Sequence, residues 1–339
     1  MTPARARFAG SLAVACILVA VLVAWSLAIG AYGLTLGEVW RALWSAVSGT
    51  PSGLDAAAQS VVVEVRAPRV IAALAIGAAL SVAGGAFQNL FRNPLVSPDI
   101  LGISSGCALG AVIAILAGWT GSAVQVFAFA GGLVAAALVI AIGAWVRAHD
   151  RVLTLVLTGV IVGSLFGAAV AFAKTLADPF NQLPAMTFWL LGSFAAIEGK
   201  DLALALPLIV VGAVALAVLR WRIDVLALPE DEARALGVDV DKVRLVVIAA
   251  ATLMTSASVA IAGIIGWIGL VVPHLARLAA GPSFARVLPL SAAFGAAILL
   301  AVDTLCRIAT ESELPPGAVT ALVGTPVFIV LLATGQREA

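Results

Sequence analysis

Residues 100–146 carry no charged side chain over 47 consecutive positions, and this stretch limits what the chain can fold into. A helix that crosses the hydrocarbon core of a bilayer needs about 20 mostly apolar residues, so the stretch is long enough for two. The whole chain is similar in character, since 63% of its 339 residues are hydrophobic and the mean hydropathy is +1.14. Soluble domains contain roughly 45–50% apolar residues. We therefore predict an all-α, polytopic integral membrane protein.

Charge-free runs of suitable length predict ten transmembrane helices. Within 100–146 the sequence GWTG at 118–121 marks the turn between two helices, and Gly263 with Gly266 divides the run 245–276 into two more. The other six runs are 8–37, 70–91, 152–173, 202–219, 287–302 and 314–336. No long linker or low-complexity segment interrupts them, so we expect residues 1–339 to form a single transmembrane domain.

Residues 179–197 are ambiguous, because Asn181, Gln182 and Pro184 make the first half of this apolar stretch unsuitable for a span. We interpret it as an interfacial helix. Cytoplasmic loops of membrane proteins carry an excess of Lys and Arg. With ten spans and both termini in the cytoplasm, thirteen of the 19 basic residues lie inside and six outside. An eleventh span would move the basic residues between 220 and 244 to the outer side, so the ten-span topology is favoured.

The sequence lacks the motifs of several enzyme classes. The GKD at 199–201 has neither the Ser/Thr nor the glycine spacing of a P-loop, so the chain is not expected to hydrolyse ATP. Its two histidines, His149 and His274, form no HExxH motif, and its three cysteines have no metal-binding spacing, so we expect no metal site. A net charge of +1 gives no reason to expect binding to nucleic acid.

An ion-coupled carrier and an intramembrane enzyme are alternatives from a different functional class. A carrier would be expected to bury carboxylates within its helices, whereas Asp303, close to a predicted helix end, is the main carboxylate available. A passive channel is also compatible with such interiors. A pathway powered by another subunit fits better and needs a charged docking surface. ATP-independent uptake in proteoliposomes would favour the carrier or the enzyme.

Residues 228–244, LPEDEARALGVDVDKVR, are the candidate for that surface. Eight of the fifteen residues 230–244 are charged, against 11% of the whole chain. Proline followed by three acids is typical of a helix start, where the helix dipole favours negative charge. Gly237 ends this short helix as a C-cap, and Asp239 or Asp241 begins another as its N-cap. The spacing alone is equally compatible with an ordinary solvated loop.

Several motifs in order resemble one family. ARALGVDVDKVR at 233–244, followed by SVAIAGIIGWIGLVVPHLARLAAG at 258–281, is similar to the permease subunits of ATP-binding-cassette (ABC) importers for iron chelates, haem and cobalamin, the FecCD type. Residues 66–106 resemble the second and third helices of that family, and LPPGAVTALVGTPVFIVLL at 314–332 resembles its last helix. The resemblance covers nearly the whole chain from about residue 60.

The resemblance implies a homodimer of ten-helix subunits in the bacterial inner membrane. Its partners would be membrane lipid, two cytoplasmic ABC ATPase subunits and a periplasmic or lipid-anchored substrate-binding protein. This chain would hold no cofactor, because the ATPase binds ATP and Mg²⁺. Two short coupling helices, Glu230–Leu236 and Asp239–Arg244, would sit in a groove of the ATPase. The residues expected to couple are Glu230, Asp231, Glu232, Arg234, Ala235, Leu236, Gly237, Asp239, Asp241, Lys242 and Arg244.

Two arginines lie at a predicted outer helix end, against the general distribution of basic residues. Arg66 and Arg69 are three positions apart and so share one helix face. They are candidates for lipid headgroup anchoring. The resemblance implies instead that these arginines, with Arg307, pair with glutamates on the two lobes of the binding protein. We expect Asp303 to hold Arg307 by an i,i+4 pair.

The resemblance places an inner gate at Val152, Leu153 and Thr154, where the polar gate pair of the cobalamin importers is replaced by apolar residues. Specificity would reside in the binding protein, and a bulky chelate needs no tight site in the permease. We favour a ferric siderophore as cargo, with haem, cobalamin and molybdate as alternatives.

Two further motifs have two interpretations each. In RNPLVSPD at 92–99 the two prolines prevent a continuous helix, and Arg92 with Asn93 is suited either to lipid headgroups or to supporting the ATPase interface. In PHLAR at 273–277, a lone histidine such as His274 is more often structural than a ligand.

Overall fold

The computed structural model describes residues 3–146, 151–310 and 312–335, and within these ranges the chain forms helices and no strands. A π-helical turn, Val61–Arg66, joins α3 to α4, and a 3-10 turn, Pro98–Leu101, precedes α5. The helices are α1 Pro3–Ala28, α2 Leu36–Ser48, α3 Ala56–Ser60, α4 Ala67–Leu90, α5 Ile103–Leu116, α6 Ser122–Trp145, α7 Arg151–Leu176, α8 Gln182–Leu191, α9 Gly199–Val218, α10 Arg220–Leu226, α11 Glu230–Ala235, α12 Val240–Ala262, α13 Ile268–Ala280, α14 Phe284–Ala309 and α15 Pro316–Gly335.

Seven helical segments of the described chain are long and apolar enough to cross a membrane, which makes this a multi-pass membrane protein. They are Arg7–Ala28, Ala56–Leu90, Ser122–Trp145, Val152–Leu176, Gly199–Val218, Val240–Ala262 and Phe284–Ala309. Three shorter apolar helices, Ile103–Leu116, Ile268–Ala280 and Pro316–Ile329, correspond to the remaining predicted spans. The count of ten spans and the cytoplasmic location of both termini stay predictions, and residues 1–2 and 336–339 lie outside the described residues.

The central helices are α4 and α12. Of their most apolar stretches, 78% and 72% respectively are buried, against 17–44% for the other five long segments. Small residues allow the close approach. A Cβ at Gly77 of α4 would collide with the carbonyl of Gly295 on α14, and one at Gly84 would collide with that of Gly269 on α13. The Gly- and Ala-rich face of α4 therefore serves helix packing.

Predicted helix breaks are confirmed where the sequence carries a local signal. GWTG at 118–121 separates α5 from α6, and residues 263–267 separate α12 from α13. Gly263 has φ +70° and ends α12. Segment 179–197 contains only the ten-residue α8, too short for a span. One boundary is wrong, because the run 8–37 is not a single helix: α1 ends at Ala28 and a loop leads to α2.

The charged segment differs from the prediction in its second half. The first short helix is α11, which ends before Gly237 at φ +79°. Asp239 is then the N-cap of α12, with its side chain accepting from the Lys242 backbone N–H. The expected second short helix, Asp239–Arg244, is therefore wrong as a separate element, because it is the N-cap and first turns of the long helix α12. The other short helix next to α11 is α10, which lies before α11 in the chain.

The molecule has two ends, set by α4. Its 24 residues span about 36 Å at 1.5 Å per residue. The N-terminal end of α4 meets the C-terminal end of α14, and we call this the Arg69 end. The C-terminal end of α4 meets α10, through a hydrogen bond from Arg92 to the Leu226 carbonyl. We call this the Glu230 end.

Candidate functional site

At the Arg69 end a buried ion pair ties α4 to α14. The Arg69 guanidinium donates from Nε to both carboxylate oxygens of Asp303 at 3.0 Å and from Nη2 to Oδ1 at 2.8 Å. Its Nη1 donates to Glu313 at 2.8 Å. The Asp303 carboxylate is fully buried, whereas the Glu313 side chain is 39% exposed. Arg69 therefore joins two helices and the segment before α15 through charge-assisted bonds.

The other two arginines hold the C-terminal end of α1. Arg66 Nη1 donates to the carbonyls of Leu27 at 2.7 Å and Ala28 at 2.9 Å. Arg307 Nη2 donates to the Ser26 carbonyl at 2.6 Å. The last carbonyls of a helix lack partners within the helix and carry partial negative charge, so cations stabilise them. These two guanidinium groups cap α1.

The structure brings the three arginines to one end of the molecule, where each bonds within the chain. Arg66 and Arg69 are each only 4% exposed, so little of either side chain lies on the surface of the single subunit. The expected pair between Asp303 and Arg307 is wrong, because the Asp303 carboxylate is occupied by Arg69. The burial also weakens the lipid-anchor interpretation for Arg66 and Arg69. Their role in docking stays a prediction.

At the Glu230 end the charged segment is mostly solvent-exposed. Exposed side chains are those of Asp231, Glu232, Arg234, Ala235, Leu236, Asp239, Asp241 and Lys242. Glu230 is the least exposed of the acids in this segment. Arg234 lies on the same helix face as Glu230, at 3.4 Å, and Lys242 lies 2.8 Å from Asp239. Exposed pairs of this kind contribute little to stability, so their charge remains available to a partner.

Arg244 is the exception, since only 8% of its side chain is exposed. It bonds the Glu230 carboxylate of α11 and, at 3.3 Å, Asp241 on its own helix. The hydrogen bond from Arg244 is the main reason that the pKa of Glu230 lies below its ordinary value. The pKa of Asp239 is also lowered, first by its bond to the Lys242 side chain. Arg244 thus fastens α11 to α12 and is not itself exposed, and its expected role in coupling stays a prediction.

Comparison with known proteins gives a consistent result. The family model described as the FecCD transport family matches residues 17–334. The chain is 41% identical to a cobalamin import system permease of Halobacterium salinarum, over 89% of this chain and 82% of that protein. It is 36% identical to a molybdate import system permease of Haemophilus influenzae, over 92% of each. A solved structure of an inward-facing, metal-chelate type ABC transporter superposes with a TM-score of 0.85, at 34% identity, over 95% of this chain and 98% of that one.

The chain belongs to the FecCD transport family. It is therefore the permease subunit of an ABC importer, a class of subunit that is not itself an enzyme. The relatives are named for different cargoes, and a hemin transport permease of Yersinia pestis is 34% identical over 95% of this chain and 94% of that protein. Membership of the FecCD family thus leaves the cargo open.

In this FecCD permease the predicted gate residues lie in the first turn of α7. Thr154 is buried, Leu153 is 54% exposed and Val152 is intermediate. Much of α7 is exposed, and its apolar stripe includes Leu157, Ile161, Leu165, Phe172 and Leu176. The predicted gate residues therefore lie on a helix with an exposed apolar stripe, and their role as a gate stays a prediction.

Among the described residues, no group of three His, Cys, Asp or Glu side chains is arranged as metal ligands. His274 is half-buried on α13, and His149 lies outside the described residues.

Sequence reasoning missed three parts of these sites. Glu313 completes the Arg69 cluster from a segment without helical periodicity, and Ser26 supplies an acceptor from within an apolar run. The helix α10 was not predicted because Arg220 and Arg222 end the apolar run of the preceding span, which left too few apolar residues to indicate another helix. Only the basic pair itself signalled an interfacial element.

Proposed function

We propose that this permease acts as a homodimer of ten-helix subunits in the bacterial inner membrane, with both termini in the cytoplasm. Seven span-length helices and three shorter apolar ones support the count of ten. In this orientation two ATPase subunits, which bind ATP and Mg²⁺, dock at the Glu230 end. A periplasmic or lipid-anchored binding protein docks at the Arg69 end.

The continuity of the charged segment with α12 is the observation that carries the coupling proposal. Residues 240–244 are the first turns of a helix whose apolar stretch is 72% buried between other helices. Arg244 fastens α11 to the same helix. Motion of an ATPase against α11 would therefore reach the centre of the bundle without crossing a flexible linker.

We place the exposed apolar stripe of α7 at the dimer axis. Single exposed apolar residues are normal, but a contiguous stripe along a whole helix calls for lipid or a protein partner. In the proposed dimer α7 lines the pathway, and Val152, Leu153 and Thr154 lie at its inner end. This wall is suited to a cargo that is bulky and weakly held.

At the Arg69 end we infer that the arginines position the docking surface more than they touch the partner. Arg66 and Arg69 are buried and bonded within the chain, whereas Arg307 is half-buried and Glu313 is partly exposed. A carboxylate of the binding protein would reach Arg307 first. It would reach Arg69 only by replacing Glu313.

We propose a ferric siderophore as cargo, with haem, cobalamin and molybdate as alternatives. An apolar wall suits a large chelate. Molybdate, a small oxyanion, would gain no charge-assisted contact from the apolar α7 stripe. Names of relatives include an iron chelatin transport permease of Helicobacter pylori, 35% identical over 95% of this chain.

The test is uptake by proteoliposomes that contain the permease, its ATPase and its binding protein. Ferrichrome, haemin, cyanocobalamin and molybdate are compared as cargo, and a variant ATPase unable to hydrolyse ATP is the control. ATP-dependent accumulation of ferrichrome supports the proposal. Accumulation of another compound alone would reassign the cargo, and accumulation without ATP would contradict the importer mechanism.

A further inference from the structure

A cavity of about 400 Å³ opens at the Glu230 end, between the end of α4, α10 and the turn from α13 to α14. Three arginines line it: Arg92, Arg277 and Arg286. They come from three separate parts of the chain, and Arg92 has φ +48°, an uncommon backbone conformation for a residue with a Cβ. The turn that begins at Arg92 thus brings a basic side chain to the same cavity as two others.

Carboxylates do not balance this charge. Asp224 is the one carboxylate in the lining, and its two oxygens accept from the Phe284 backbone N–H and the Ser283 hydroxyl at the start of α14. Across the described residues none of the three arginines forms an ion pair. The nearby Glu230 carboxylate is bonded to Arg244. The cavity therefore has an excess of positive charge.

Two buried polar atoms in the lining also lack partners. Arg277 Nη2 is buried without an acceptor, and its Nη1 has only a long contact of 3.5 Å to Asn89. Gln88 is 3% exposed, and its Nε2 donates to the Leu270 carbonyl at 3.0 Å while its Oε1 has no partner. An unpaired charged donor removed from water is costly, so an anion beside Arg277 would relieve that cost.

The chemistry of these groups favours a phosphate. The planar guanidinium fork matches a phosphate in bidentate geometry, and the free Gln88 oxygen suits the hydroxyl of hydrogen phosphate or of a glycerol headgroup. The volume lies within the range of about 300–1,000 Å³ common for small-molecule sites, so it has room for a substituted phosphate. Leu95 and Leu278, each next in sequence to a residue of the lining, are exposed and suit acyl chains.

We propose that this cavity binds a phosphate group, supplied either by an anionic lipid headgroup or by free phosphate. The site is separate from the translocation pathway and does not depend on which cargo is carried. By occupying the space between α4, α10 and α14, the phosphate would brace α10 and hence the adjoining α11.

The test measures binding to the purified full-length protein. Thermal unfolding in detergent is followed with inorganic phosphate against chloride at equal ionic strength, and native mass spectrometry is used to follow phosphatidylglycerol against phosphatidylcholine. Arg286→Gln and the more exposed Arg92→Gln should each weaken binding about tenfold, since one hydrogen bond to a charged group is lost. Arg222→Gln is the matched control, because Arg222 is exposed on α10 and outside the cavity lining.

Binding of inorganic phosphate without lipid assigns the source to free phosphate, and selective retention of phosphatidylglycerol assigns it to lipid; either result supports the site. Absence of both kinds of binding in the wild type overturns it. Equal weakening in Arg222→Gln overturns it as well. Loss of ATPase association in the arginine variants, with no phosphate bound by the wild type, would instead assign the cavity to an acidic surface of the ATPase.

Discussion

The Arg69 end and the Glu230 end both contain arginines paired with carboxylates, yet the pairs differ in depth. Arg69 and Asp303 are both buried, and their partnership joins two long helices. Arg234 and Lys242 are largely exposed and pair with neighbours three or four positions away. A buried pair that loses one member leaves an uncompensated charge, whereas an exposed pair is worth about 0–1 kcal/mol. The charges at the Arg69 end therefore stabilise the fold, whereas the exposed charges at the Glu230 end remain available to a partner.

Arg244 shows that depth, and not location along the chain, decides the role. It lies in the same charged segment as Arg234 but is nearly as buried as Arg69. Its contact with Glu230 holds the exposed helix in a defined orientation. An exposed docking helix thus depends on one inward-facing arginine.

The largest effect is expected at the Arg69 end. Asp303→Asn and Glu313→Gln each remove one carboxylate from Arg69, but only Asp303 is fully buried. We expect Asp303→Asn to lower the free energy of unfolding by about 3 kcal/mol and Glu313→Gln by less than about 1 kcal/mol. Unfolding titrated with dodecyl sulfate, followed by tryptophan fluorescence, measures both.

A paired replacement sharpens this result. Arg69→Met with Asp303→Leu removes both charges, and similar apolar pairs are often neutral or stabilising. The double variant should therefore regain most of the stability that Asp303→Asn loses. Equal losses in Asp303→Asn and Glu313→Gln would break the proposed contrast in depth.

A smaller effect is expected from Arg244→Gln. Losing hydrogen bonds to charged groups costs about 1.5–3 kcal/mol, and here the loss should loosen α11 from α12 without unfolding the bundle. Hydrogen exchange of residues 230–235 should become faster in Arg244→Gln and stay unchanged in Arg234→Gln. Unchanged exchange in both would show that Arg244 does not fasten the helix.

Charge reversal on the exposed face should act on the partner and leave the fold intact. Arg234→Glu with Lys242→Glu is expected to weaken ATPase association about tenfold and to alter its salt dependence, as rim charges do. Lys200→Glu is the matched control, since Lys200 is exposed at the other end of the molecule. Unaltered ATPase co-elution at moderate salt would exclude this face as the contact.

The smallest effect is a pH dependence of α11. The folded-state pKa of Glu230 lies below its ordinary value of 4.5. Its contribution to holding α11 on α12 is therefore fully present above about pH 4.5, and it is lost as the pH falls through the lowered pKa of the folded state. Hydrogen exchange in residues 230–235 should therefore accelerate below that pH beyond its intrinsic change. Arg244→Gln should remove the extra acceleration, because it removes the main cause of the shift.

The sequence predicted most elements whose signals are local. Charge-free length locates the spans, GWTG and Gly263 mark breaks, and Asp239 caps a helix, because each depends on residues within one or two turns. The α1 boundary was wrong because the loop after Ala28 carries no charged side chain, so the charge-free run continues past the end of the helix.

The tertiary structure alone decided which charges are buried and with what. Arg69 and Asp303 are 234 positions apart, and nothing within either segment indicates the other. The same holds for Arg244, whose sequence neighbours are charged and exposed while its guanidinium is covered. Local sequence therefore determined that this chain crosses a membrane and where most of its helices stop. The packing of distant helices determined which arginines hold the protein together, because burial depends on neighbours that are remote in sequence.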